Sequence, residues 1–261
     1  MIFTMEKNKS VGSNPTTESK VKNTVTFCLG IVLIGVLIQI LSKAKGDSLV
    51  FPSVLEILRT FFRLLGTAHT YQFILTTLVH LCIALVFSTV IGISLGMVQG
   101  LSPFVNQLLK PLMIMLRSIP IIVLVVIIMV LTKYSRVPYL AASFILVPLI
   151  SEAAAEGCRR IDKELIDVYR LNGSFSFRVL RTVYLPLMAG YLKQAYVNAV
   201  GMGIKIIVTT EYLVQTKNSL GKAVYSSSYF NEYEEIYAYA LIMILLVLAL
   251  SGIPLLLAKK L

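Results

Sequence analysis

Long apolar runs separated by short polar ones dominate the chain, and their lengths set its class. Six runs, at about 24–42, 71–99, 105–132, 138–158, 186–213 and 236–258, reach or approach the roughly 20 residues that carry a helix across a bilayer. The alternating pattern of about 10 residues that marks a membrane β-barrel strand is absent. The pattern predicts an all-α membrane protein of about six spans. The second run holds Gly92 and Gly96, with Gly100 just beyond, a small-residue face suited to close helix contact. The third contains Pro111 and Pro120 and is expected to cross as one kinked helix.

One short segment breaks the pattern. From Pro52 to Gly66, Ser53 and Glu56 have the spacing of a capping box, in which each side chain satisfies the other's orphan backbone N–H. Glu56, Thr60 and Arg63, with Arg59, share one face; Leu55, Leu58, Phe62 and Leu65 line the other. A helix this short and charged is expected to lie along the membrane surface rather than cross.

Composition agrees with the spans. Of 261 residues 57% are hydrophobic and 14% charged, against about 25% charged in soluble domains. The net charge of +11 does not imply a nucleic-acid partner, because the basic residues cluster at span ends rather than among exposed aromatics. Cys28, Cys82 and Cys158 are isolated, with no paired ligand spacing, so neither a disulfide framework nor a metal site is expected. Residues 1–23 are polar and are read as a disordered tail. Placing that tail in the cytoplasm puts 13 Lys and Arg on the inside and 8 outside, so both termini are expected inside.

A polar island then stands out on the cytoplasmic side. Asp162 can cap a helix over about 163–171, Asn172-Gly173 is a left-handed stop, and Ser174 can cap a second helix running toward Leu185-Pro186. Two marked helices around a glycine turn present a knob to a soluble partner.

The island resembles the cytoplasmic EAA loop of binding-protein-dependent ABC importer permeases. Asp167-Val168-Tyr169 stands at the Glu-Ala-Ala triplet, Gly173 at the glycine, Val183 at the isoleucine and Leu185-Pro186 at the close, all at the family's spacing. The triplet itself is degenerate. The literal Glu152-Ala153-Ala154 lacks the later glycine and Leu-Pro at the right distances. Phe51-Pro52-Ser53, Thr76-Thr77-Leu78, Gly92-Ile93-Ser94-Leu95-Gly96, Leu116-Arg117-Ser118-Ile119-Pro120, Gly157-Cys158-Arg159-Arg160-Ile161-Asp162 and Glu211-Tyr212-Leu213 with Ser219-Leu220-Gly221 resemble, in order, the nitrate/sulfonate/taurine-type permeases. Where those permeases often carry a large aromatic, this chain has Lys205.

The resemblance implies a type I importer permease with a cytoplasmic coupling helix. It also divides the chain into a tail at 1–23, a first span and external loop at 24–49, and a permease domain at 50–261 with its coupling loop at about 162–186. It implies a homodimer in a bacterial inner membrane, an external solute-binding protein, and a separate ATPase subunit that holds ATP and magnesium. The chain itself has no phosphate loop and binds no cofactor on this reading. ATPase docking is expected at Asp167, Arg170, Leu171, Asn172, Gly173, Phe175, Leu185 and Pro186. Sulfonate, nitrate, taurine, thiamine precursors and riboflavin are among the solutes such permeases carry.

Six residues are candidates for the translocation path: Arg117, Ser118, Pro120, Lys205, Thr209 and Glu211. Arg117 either snorkels or lines the path beside a kink at Pro120. Lys205 either faces the path and meets an anionic group or pairs with Glu152 or Glu211, since a charge at bilayer depth must pair or face a cavity. The Tyr-rich stretch from Tyr225 to Glu235 reads as an aromatic belt or as a receiving surface for a binding protein. A secondary transporter or a membrane scaffold without ATPase coupling stands as the alternative. Paired broken helices, the mark of many secondary transporters, are not visible in the sequence.

Overall fold

The computed structural model describes residues 52–161 and 179–257, together with seven single positions between Thr26 and Ile40. Residues 1–56 and 57–261 form two compact units. In the first, the seven positions are helical, and Leu29, Leu33, Val36 and Ile40 are exposed at a spacing that puts them on one face.

Eight helices follow, with no strand among the described residues: α1 (Val54–Leu65), α2 (Ala68–Leu101), α3 (Pro103–Ser118), α4 (Ile121–Leu131), α5 (Val137–Arg159), α6 (Leu185–Val214), α7 (Leu220–Tyr229) and α8 (Tyr233–Leu257). The capping box starts α1 as the spacing implies. Ser53 N donates to Glu56 Oε2 at 2.7 Å and Glu56 N to Ser53 Oγ at 3.3 Å. Leu55, Leu58 and Phe62 remain exposed on one stripe, as a surface helix requires. Thr60 departs from expectation. It is 3% exposed, because Ile57, Thr60 and Leu64 form a third, inward face at helical spacing. Leu64 packs on Leu220, Ala238 and Ile242, and Arg63 pairs with Glu235 at 3.1 Å.

Four described helices are long and apolar enough to span a membrane, or five if the bent pair α3–α4 counts as one. The first expected span falls mostly outside the described residues. The third does not run through as one kinked helix: α3 and α4 meet at 99°. Pro120 has no N–H to continue the ladder, and Ile119 before it is extended, at φ −66° and ψ 124°. Pro111, in contrast, sits inside α3 without ending it.

Helix α5 is the centre of the bundle. Ala142 and Leu146 meet Leu81 and Ala84 of α2 and Ala199, Ile204 and Ile207 of α6. Nearer its end, Ile150, Ala154 and Cys158 meet Met97, Met188 and Leu192. The glycines of α2 permit this approach. A Cβ on Gly92 would lie 2.9 Å from Ile150 Cβ, and one on Gly96 or Gly100 would overlap the Ser151 carbonyl or Cys158 Cβ. The small-residue face expected from the sequence is therefore the seam between α2 and α5.

Candidate translocation path

Helix α6 has two unlike faces. Leu192, Ala195, Ala199, Ile204 and Ile207 are buried against α5 and its neighbours. Tyr191, Gln194, Asn198, Met202, Lys205 and Thr209 are all exposed, at steps of three and four that align them on one stripe. Eighteen steps from Tyr191 to Thr209, at about 1.5 Å each, make this stripe about 27 Å long, close to the ~30 Å apolar thickness of a bilayer. Two amides, two hydroxyls and an ammonium along a membrane-crossing helix cannot face lipid cheaply, so the stripe must face a water-filled cavity or another protein chain.

Lys205 is exposed and has no ion-pair partner among the described residues. Glu152 is held by the Arg117 guanidinium, and Glu211 by His80, so neither pairs with Lys205. Thr209 Oγ1 donates to the Lys205 carbonyl at 2.8 Å, which fixes its hydroxyl one turn along the stripe. Gly203 lies at the α2 contact, where a Cβ would come 2.8 Å from Leu81 Cδ1.

At the end of α6 nearer Pro186 the stripe opens into a cavity of about 650 Å³ between α5 and α6, walled by Glu152, Glu156, Tyr191, Gln194 and Asn198. Arg117, in the last turn of α3, donates to Glu152 Oε2 and to the Pro148 carbonyl, the latter at 3.2 Å. Both side chains of the pair are substantially exposed, so Arg117 is anchored across to α5 rather than snorkelling alone. Ser118 Oγ donates back to the Ile114 carbonyl at 2.8 Å, and Pro120 caps α4. The break thus places Arg117 beside this cavity's Glu152.

Glu211 lies elsewhere. It is fully buried, on the face of α6 opposite the stripe. Its carboxylate accepts from Thr77 Oγ1 at 2.9 Å and from Gly221 N at 3.2 Å, and contacts His80 Nδ1 at 2.8 Å. Leu220 N donates to Thr77 Oγ1 at 3.1 Å, and Ser219 Oγ caps α7 at Lys222 N. A Cβ on Gly221 would collide with Glu211 and with the Tyr212 backbone. The cluster ties α2, α6 and α7 at a single carboxylate. His80 stood alone in an apolar run in the sequence. The signal for it was Thr77, one turn away on the same face.

Of the expected docking residues, Asp167, Arg170, Leu171, Asn172, Gly173 and Phe175 lie outside the described residues. Leu185 and Pro186 open α6, Pro186 in the first turn, where its missing N–H costs nothing. A π-turn, Leu180–Tyr184, leads in, and Val183 and Tyr184 are buried against Met97, Ile150 and Met188. The return limb of the island is thus rooted in the bundle's core.

The family model for binding-protein-dependent transport system inner membrane components matches residues 88–261. Among solved structures, the chain is similar to one reported as inward-facing conformations of the MetNI methionine ABC transporter, with TM-score 0.61 and 17% identity over 73% of this chain and 96% of that one. It is also similar to a bacterial ABC transporter involved in import of the acidic polysaccharide alginate, with TM-score 0.64 and 12% identity over 93% of this chain and 97% of that one. No curated protein sequence matches it. At these identities the structural likeness speaks for the fold, a type I ABC importer permease. With the family match spanning well over half of its length, the chain belongs to the binding-protein-dependent transport system inner membrane components, the permeases of ABC importers.

Proposed function

We propose that this chain is the permease subunit of an ATP-driven importer that moves a small organic or anionic solute by alternating access along the stripe of α6. The single observation that carries this reading is the row of exposed polar side chains, Gln194 to Thr209, on a helix long enough to cross the bilayer. Two copies facing each other would enclose these stripes as one aqueous route, which removes the cost of exposing Lys205 to lipid. Coupling is assigned to the loop at about 162–186, where a separate ATPase subunit docks on the cytoplasmic side. An external binding protein delivers the solute to the opposite face. Both termini then lie in the cytoplasm.

The engagement of the acidic groups favours this reading over a secondary transporter. Glu152 and Glu156 are held by arginines, and Glu211 accepts from Thr77 and Gly221 and meets His80, so each of these membrane carboxylates is already engaged.

Lys205→Met tests the assignment. The variant is expected to keep the wild-type melting temperature, because Lys205 has no ion pair to lose, and to lower uptake of an anionic solute about tenfold or more in vesicles reconstituted with the ATPase. Unaltered uptake with unaltered stability would place Lys205 off the path.

A further inference from the structure

The stripe of α6 does not end at Thr209. Tyr212, three residues on and seven after Lys205, keeps the same helical face and is half-buried. Its ring meets Tyr225 of α7 edge-on, with centroids 5.4 Å apart. Tyr225 stacks on Tyr229 at 6.4 Å and 14°, and Tyr229 meets Phe230 edge-on at 5.2 Å. A second link runs beside the first: Lys222 Nζ donates to Gln215 Oε1 at 3.0 Å and lies 4.7 Å from the centre of the Tyr225 ring. The aromatic side of α7 thus continues the stripe at the end away from Pro186.

That side of α7 is held in place from behind. On the opposite face Leu220 and Ala223 pack against Leu64, Ala238 and Ile242, and Ser227 Oγ donates to Glu235 Oε2 at 3.0 Å. Glu211 fixes the start of the helix through Gly221 N, where a Cβ would stand 2.5 Å from Tyr212 N. Among the described residues, the non-glycine positions with positive φ are Gln215, Asn218 and Asn231, at 54°, 53° and 60°. All three bracket α7. Left-handed backbone at such residues costs free energy and persists where surrounding contacts over-determine it, often at functional sites. Tyr229 and Phe230 nevertheless stay 71% and 68% exposed, so the ladder ends in two uncovered rings. A membrane-interface belt needs neither rings in series nor a cation placed over one of them.

We propose that the solute of this path carries a planar aromatic ring, received at the outer mouth by Tyr225 and Tyr229 and passed to the stripe at Tyr212. The inference rests on the reading of α6 as the translocation route. Aromatic rings prefer offset-stacked or edge-on partners, and a ladder with an open end offers both geometries to one more ring. A saturated ring of the same size gains burial there and no stacking. The platform is pre-organised by its own packing, so little ordering is lost when a ring arrives. Lys222 leaves the mouth cationic, which suits an anionic substituent on that ring.

The chain contains no tryptophan, so Phe230→Trp places a single fluorescent reporter beside Tyr229. The full-length Phe230→Trp chain is reconstituted in phosphatidylcholine vesicles. Benzoate is titrated against cyclohexanecarboxylate, which matches it closely in charge and size but has no π face. Benzoate should change the emission saturably, with half-saturation about fivefold or more below that of cyclohexanecarboxylate. Adding Tyr225→Leu or Tyr229→Leu should raise the benzoate half-saturation about three- to tenfold, while Tyr229→Phe, which keeps the ring, should leave it near the starting value. No saturable benzoate response, equal half-saturation for the two acids, as rings of a lipid belt would give, or unchanged benzoate binding in both leucine variants would overturn the proposal. That failure is distinct from failure of the path: if Lys205→Met still lowers uptake of an anionic solute, the stripe stands without its aromatic platform.

Discussion

Glu211 is the residue whose environment most changes the meaning of the sequence. Read in the chain it is one of a few membrane carboxylates and a path candidate; in the fold it is a buried acceptor shared by three helices. Sequence spacing did not show what Glu211 meets, because Thr77 and His80 are more than 130 residues distant. Removing the acceptor leaves the Thr77 hydroxyl and the Gly221 N–H unpaired, at about 1–3 kcal/mol for each buried group. Glu211→Leu is therefore expected to lower the melting temperature severely. Glu211→Gln keeps one carbonyl acceptor for those donors and should lose much less. Equal melting temperatures for the two variants would show that the hydrogen bonds, as opposed to side-chain volume, contribute nothing. Lys205, in contrast, was legible as a residue of note but not as to its role: the sequence left open a path position or a pair with Glu152 or Glu211, and among the described residues it has no ion-pair partner.

At the scale of elements, local signals were read well and long-range ones were not. The capping box of α1 formed between the residues named for it, since both members lie within one turn. The small-residue face of α2 became its seam with α5 because no larger side chain fits there. Gly96→Leu should push α2 off α5 and abolish folding, whereas Gly190→Ala, at a position with open space around the backbone, should be tolerated. Comparable yields and melting temperatures for the two would argue against the seam. The break between α3 and α4 was misjudged as a kink. Proline in a span often only bends it, and the choice between kink and break depends on whether neighbouring helices satisfy the freed carbonyls. Here Ile119 is extended and α4 restarts at Pro120, whose carbonyl accepts from Leu124 N. The stripe of α6 was only half seen. Lys205 and Thr209 were chosen by charge and spacing, while Tyr191, Gln194 and Asn198 carry no charge and escaped.

For the whole molecule, class and family were legible from the lengths of the apolar runs and the order of weak motifs, and the family match confirms that level. The coupling to an ATPase proposed for the loop at about 162–186 belongs to the same scale, because it would join this chain to another. Gly173→Val should leave a membrane-inserted, folded subunit that no longer retains its ATPase in detergent pull-downs, since a β-branched residue would strain the left-handed turn that Asn172-Gly173 predicts. Undiminished co-purification of the ATPase would remove the docking assignment without touching the path.

The most direct test of that path is state-dependent labelling of the stripe of α6. Single cysteines replace Gln194 and Thr209, at its two ends, in a background lacking Cys28, Cys82 and Cys158, with the complex embedded in vesicles of known orientation. An impermeant maleimide should reach position 194 from the cytoplasmic side in the nucleotide-free state and lose access when the ATP-bound state is trapped. Position 209, probed from the outside, should behave in the opposite sense. A cysteine replacing Val90, which is 63% exposed on the apolar surface of α2, serves as the lipid-facing control. If positions 194 and 209 label no faster than position 90, or if neither responds to nucleotide, the stripe is not the route by which solute crosses.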